Sequence, residues 1–302
     1  MPTIMKQGKW TPWLYLFPAL IIMVVFIVYP MFNTITLSFM DRSGTRSAAT
    51  TCTEGQSCWG VFENYRYALT NSEMTLALRN NAMWLLLMVP GTVAAGLFFA
   101  VLSERVRYEK VAKAIIFMPM AISFIGAGII WQFMYSIQTG GGKQTGLLNA
   151  IITQLGGQPV AWLSTPSINN FALMLVGVWL WAGFCMTILS AALKGVPTEV
   201  LEAAQVDGAT SWQTFWRVTI PLIMPTIMVV TTTMIINVLK IFDIVFVMTG
   251  GNYGTEVIAN RMFKLIVTDT GRSMAIAVLL ITLTIPILII NIRRFKQQEE
   301  MR

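Results

Sequence analysis

The sequence has no histidine among its 302 residues. That removes the commonest general base and the commonest metal ligand. Cysteine is scarce as well: Cys52, Cys58 and Cys185 are the whole set, and their spacing fits no metal site. Covalent or metal-assisted catalysis is therefore not expected, and neither is a resident metal or cofactor; carboxylate chemistry stays open. Charge is the third shortage. Only 12% of residues are charged, against about 25% in soluble domains, which leaves too little polar surface for a soluble fold. The net charge is +7, but the basic residues are scattered between apolar blocks and form no nucleic-acid patch.

What is abundant is apolar sequence, 55% of the chain. A helix needs about 20 mostly apolar residues to cross about 30 Å of hydrocarbon. Charge-free intervals predict six such helices, near residues 13–39, 80–103, 114–137, 168–192, 221–248 and 273–292. The expected fold is all-α and integral to the membrane, one transmembrane domain over the whole chain. Lys6 and Lys9 before the first span resemble a secretory signal. Its apolar run is too long for one, and no small-residue cleavage site follows, so it is read as a retained helix. Pro18 and Pro30 should bend this helix without abolishing it.

Basic residues are denser in the segments that share a side with the N-terminus, including Arg105, Arg107, Lys110 and Lys113. This asymmetry predicts that both termini are cytoplasmic. Cys52 and Cys58 then fall in an outer loop, where they can pair or stay free. Cys185, mid-helix, reads as a small packing residue. The last outer loop, with Val257, Ile258, Met262, Phe263 and Ile266 among charges, reads as a helix along the membrane surface.

One inner loop carries a specific pattern, PTEVLEAAQVDGATSWQTFWRVTIPLIMP from Pro197 to Pro225. It predicts two short helices around a turn. Thr198 is placed to cap the first. Gly208 supplies the left-handed conformation that ends it. Thr210 or Ser211 caps the second, and Trp212, Phe215 and Trp216 fall on one face. Pro221 and Pro225 mark the start of the fifth span. Glu199, Glu202 and Asp207 would project outward on the first helix, giving a rigid lever on which a motor subunit can act.

Glu202-Ala203-Ala204, Asp207-Gly208-Ala209 and Ile220-Pro221 resemble the EAA loop of permease subunits in binding-protein-dependent ABC importers. GVFENYRYALTN near residues 60–71, Phe242-Asp243 and Thr249-Gly250-Gly251 resemble further segments of the maltose and glycerol-phosphate type. Asn252-Tyr253 departs from the Gly-Pro often found there. The resemblance implies a type I ABC importer permease in the bacterial or archaeal inner membrane. It implies that Glu202, Ala203, Ala204, Asp207 and Gly208 couple to a separate ATPase, present in two copies, which holds the ATP and magnesium. It also implies a second permease subunit of different sequence and a periplasmic or lipid-anchored sugar-binding protein. The chain itself should not hydrolyse ATP. Gly140 to Gln144 lacks the leading glycine and the following Ser or Thr of a phosphate-binding loop.

A sugar path needs aromatic faces and hydrogen-bonding groups. Gly177, Trp181 and Phe184 recur at helical spacing on the fourth span, and Asn237, Lys240 and Ile241 on the fifth, with Asp243 nearby. Helix packing is the competing reading for the rings, and a structural Lys240–Asp243 pair for the charges. An ion-coupled secondary transporter is the main functional alternative, but no internal repeat or set of buried carboxylates supports it. A membrane-embedded enzyme has even less support.

Overall fold

The computed structural model describes residues 11–40, 62–138, 140 and 143–300. Every regular element described is helical. In chain order they are α1 (Thr11–Met23), α2 (Tyr29–Leu37), α3 (Glu63–Thr70), α4 (Ser72–Glu104), α5 (Glu109–Phe117), α6 (Phe124–Met134) and α7 (Leu147–Gln154). Then come α8 (Asn169–Lys194), α9 (Thr198–Val206), α10 (Ser211–Thr214), α11 (Ile220–Leu239), α12 (Asp243–Met248), α13 (Ile258–Leu265) and α14 (Thr270–Glu300). Five helices are long and apolar enough to cross a membrane: Trp13–Leu37, Ser72–Glu104, Asn169–Lys194, Ser211–Leu239 and Thr270–Ile289. The pair α5–α6 supplies a sixth, broken crossing. This is a multi-pass membrane protein. Cys52 and Cys58 lie outside the described residues.

Prolines shape the spans. A helical proline lacks the N–H donor, and its ring clashes with the carbonyl four residues earlier. The first span widens into a π-turn at Val24–Val28, just before Pro30. The same device recurs at Phe215–Thr219, just before Pro221. Here it changes the expected topology. The second short helix of the inner loop is not separate: Ser211–Leu239 runs as one helix, because the wide turn absorbs the proline.

The third expected span, 114–137, is not continuous. A 3-10 turn at Met118–Ala121 contains Pro119, Ile122 is extended, and the two halves bend by 100°. Ser123 restarts the helix as an N-cap, its hydroxyl accepting from the Gly126 N–H at 3.1 Å. The fifth span also ends early, at Leu239, and a short α12 follows. Two side chains from other helices satisfy backbone freed at the ends of these two pieces, Asn81 at the end of α11 and Gln132 at the end of α12. Asn81 donates to the Val238 and Leu239 carbonyls, both at 3.4 Å, and accepts from the Ile258 N–H at 2.9 Å. Gln132 donates to the carbonyls of Val247, at 2.7 Å, and Met248, at 3.3 Å. Without such partners, open backbone in hydrocarbon costs several kcal/mol per group.

The chain divides into two compact units. In one, Met1–Leu69 with Met262–Leu279, Asn64 donates to the Ser38 and Met40 carbonyls at 2.9 and 2.8 Å. Phe39 packs between Phe62 and Tyr65, and the Arg272 guanidinium lies 4.3 Å over the Tyr67 ring. The other, Thr70–Arg261 with Leu280–Arg302, holds the main core. Trp84 and Met88 of α4 pack with Leu173, Val176, Met186 and Leu189 of α8, and Met234 of α11 with Ile244 of α12. Cys185 is buried against Gly96. The expected surface helix at 257–266 exists as α13, but its first turn is buried. Only Phe263, Ile266 and Val267 stay exposed among its apolar residues and those just after.

Candidate functional site

The inner loop forms a projecting helix-turn. Pro197, extended at φ −60° and ψ 133°, separates α8 from α9 and occupies the N-cap position. Thr198 is therefore the first helical residue and not the cap, and no side chain caps this end. No residue of α9 is buried. Glu199, Glu202, Ala203 and Asp207 are exposed, and so are the apolar Val200 and Val206, the latter at 88%.

Gly208 ends the helix at φ +80°. The Gly208 N–H reaches the Gln205 carbonyl and the Ala209 N–H the Ala204 carbonyl, both at 3.0 Å. This is the doubly bonded Schellman stop, which needs a residue without left-handed penalty. Thr210 then starts the next helix with a full capping box to Gln213. Trp212, Phe215 and Trp216 form a ring cluster on the first turns of that helix. The lever and its turn are thus held by local bonds and continue directly into a long apolar helix.

Behind the lever, a polar clasp joins three helices. Lys113 of α5 donates to Glu109 at 2.6 Å and also to Ser190 of α8. Ser190 donates to Glu104 of α4 at 3.1 Å. Lys194, the last residue of α8, pairs with Glu109. Glu109 holds both lysines, and Lys113 also reaches Ser190, whereas Lys194 holds one partner and is half exposed. Glu109→Gln and Lys113→Met should therefore each lower the unfolding temperature by more than Lys194→Met does. Thermal unfolding of the purified protein ranks the three. Equal losses would deny Glu109 its central place.

The candidate path residues differ in burial and in partners. Gly177 is buried, and a Cβ there would lie 2.4 Å from Met88 Cε. Its position serves close packing of α8 on α4. Ile241 is also a core residue, 8% exposed. In this chain both are packed within the core. Trp181 and Phe184 are half-buried and meet each other, with ring centroids 5.7 Å apart. Phe124 at the start of α6 joins them, 5.8 Å from Trp181. Asn237 is half-buried and donates to its own helix at the Thr233 carbonyl, 3.0 Å away. Lys240 is exposed beside the helix break, and Asp243 opens α12. No ion pair joins Lys240 to Asp243 among the described residues, because the unwound turn separates them.

Sequence reading missed Phe124, Asn81, Gln132 and the clasp. For Asn81 and Gln132 a signal was present, since an amide inside an apolar run needs a partner. For Phe124 there was none, as one phenylalanine among apolar neighbours carries no pattern.

The family model described as binding-protein-dependent transport system inner membrane component matches residues 92–295. The chain is 51% identical to the osmoprotective compounds uptake permease protein GgtC of Synechocystis sp., over 96% of this chain and 100% of that one. It is 44% identical to the alpha-glucoside transport system permease protein AglF of Rhizobium meliloti, over 93% and 81%. Among solved structures, a bacterial ABC transporter for import of the acidic polysaccharide alginate superposes with a TM-score of 0.76 at 22% identity. That match covers 94% of this chain and 96% of the other, and it shows a shared fold.

Proposed function

The chain belongs to the inner-membrane components of binding-protein-dependent transport systems, and from that premise we propose that it forms half of the translocation pathway of an ATP-driven sugar importer. The observation that carries the coupling is the exposed α9 with its Schellman turn. Glu202, Ala203, Ala204, Asp207 and Gly208 dock on an ATPase subunit, which binds the ATP and magnesium. Val200 and Val206 supply apolar surface that only a partner would cover. The clasp passes the resulting motion to α4, α5 and α8. Two ATPase subunits, a second permease of different sequence and an external sugar-binding protein complete the assembly. Both termini face the cytoplasm, as the basic residues around Arg105 and Lys110 support.

The cargo is a neutral α-glucoside or small oligosaccharide, in line with the name of AglF. The higher identity to GgtC favours a second reading, an uncharged sugar-like osmoprotectant. Trp181, Phe184 and Phe124 offer ring faces for such a solute, and Asn237, Lys240 and Asp243 are polar groups beside the helix break.

Co-expression with neighbouring transporter genes and purification through a tag on this chain should retain an ATPase subunit. Uptake into vesicles should then require ATP and the binding protein, and α-glucosides and osmoprotectants can be compared directly. Isolation without any ATPase, with uptake driven by an ion gradient, would sink the reading. In the same assay Trp181→Ala should raise KM by roughly 2- to 13-fold, the equivalent of about 0.5–1.5 kcal/mol of ring interaction. Asn237→Ala should lower uptake with assembly intact. Unchanged kinetics in either variant removes that residue from the path.

A further inference from the structure

An apolar groove of about 640 Å³ lies between the end of α4 and the first turns of the Ser211–Leu239 helix. Phe98, Leu102 and Arg105 line one wall, and Trp212, Phe215 and Trp216 the other. Its size is that of a ligand pocket, roughly 300–1,000 Å³. Beside it, beneath α9, is a second cavity of about 280 Å³ that shares Arg105, Ser211 and Phe215 with the first. This one has a mixed lining, in which Glu104, Arg105, Gln205, Ser211 and Thr214 are among the polar and charged groups.

Thr214 is the unexplained group. It is only 7% exposed, and its Oγ1 is buried with no hydrogen-bond partner. Thr187, Thr231 and Thr232 turn their hydroxyls back to the carbonyl four residues earlier; Thr214 does not. A buried polar group left unpaired is costly, so a hydrogen-bond partner from outside the chain is expected. Arg105 is exposed at the mouth and takes part in no ion pair among the described residues. Glu104 also lines the second cavity, but its carboxylate already accepts from Ser190.

We propose that the two adjacent cavities bind one anionic phospholipid, its acyl chain in the apolar groove and its phosphate on Arg105, Ser211 and Thr214. Three observations select a lipid over a protein surface. The groove opens where apolar α4 gives way to Arg105, Arg107 and Lys110, the level of a membrane surface. Trp212 and Trp216, 71% and 49% exposed, have the amphipathic rings that settle at that level. The free guanidinium matches a phosphate in charge and shape. A lipid held there would brace the coupling lever, because Gln205 of α9 lines the same cavity. The proposal rests on the reading of this end as the cytoplasmic membrane face.

The test is native mass spectrometry of the assembled transporter, purified through this chain and exchanged into phosphatidylglycerol or phosphatidylcholine. Wild type should retain phosphatidylglycerol in preference to phosphatidylcholine. Arg105→Gln should cut that retention roughly fivefold, the size of about one basic residue's attraction to an anionic lipid. Thr214→Val, which keeps the shape, should cut it less, and Lys110→Gln should leave it unchanged. Retention equal for the two lipids, or equal losses in Arg105→Gln and Lys110→Gln, would overturn the site in favour of diffuse surface charge. Photo-cross-linking of a benzophenone attached at Phe98→Cys to the second permease would overturn it in favour of a protein contact. Co-purification of the ATPase subunit in the same samples reports separately on the importer reading.

Discussion

Gly208→Val should cut ATP-dependent uptake and retention of the ATPase subunit by roughly 5- to 150-fold, while Gly208→Asn should keep most of both. The reason is backbone conformation. Gly208 stands at φ +80°, and a Cβ built there meets nothing within 4 Å. A new side chain therefore brings no clash, and its whole effect comes through the left-handed backbone. A β-branched residue in that region costs on the order of 1–3 kcal/mol. Asparagine tolerates it far better. If valine adopts a different turn, the Gly208 and Ala209 bonds to Gln205 and Ala204 are lost, and α9 no longer points where its partner needs it. ATPase co-purification and vesicle uptake, measured side by side, decide the matter. Equal behaviour of valine and asparagine would mean that the turn geometry is not what couples the lever.

The second large effect is expected at Gly177. Gly177→Val should reduce the amount of folded protein by overpacking, at a cost of about 1–3 kcal/mol or more. A Cβ there would lie 2.4 Å from the Met88 Cε and 2.9 Å from its sulfur. Both partners are buried in the α4–α8 core. The double variant Gly177→Val with Met88→Ala should recover part of the loss, because the new side chain then enters the space vacated. Thermal unfolding of the two variants gives the coupling energy. A substrate-selective change in KM with unaltered stability would instead return Gly177 to the sugar path.

These two glycines show how far local pattern reaches. Gly208 was legible because everything that defines its role lies within a few residues: Asp207 before it, Thr210 and Gln213 after it. Gly177 was not. Helical spacing correctly put it on one face with Trp181, but spacing says nothing about which neighbour that face meets. The same limit applies to Ile241, which shares helical spacing with Asn237 and yet sits in the core beyond a break.

The breaks themselves were only half visible. A charge-free apolar interval looks the same whether the helix within it is straight or bent by 100°. Pro119 hinted at the first break. The second, after Leu239, is stabilised by Asn81, which lies far away in sequence. The clasp is a similar case. Glu104, Glu109, Lys113, Ser190 and Lys194 read separately as charges and a hydroxyl at helix ends, and only packing brings them into one network.

That the chain crosses a membrane several times, and that Gly208 ends an exposed helix, could be read from local sequence. Each of these depends on hydrophobic transfer or on backbone bonds closed within a few residues. Which spans are broken, which glycine is a packing contact, which rings meet and where a buried hydroxyl is left unpaired became visible only in the folded chain. Those depend on groups from separate helices sharing one small volume, and no local pattern encodes that.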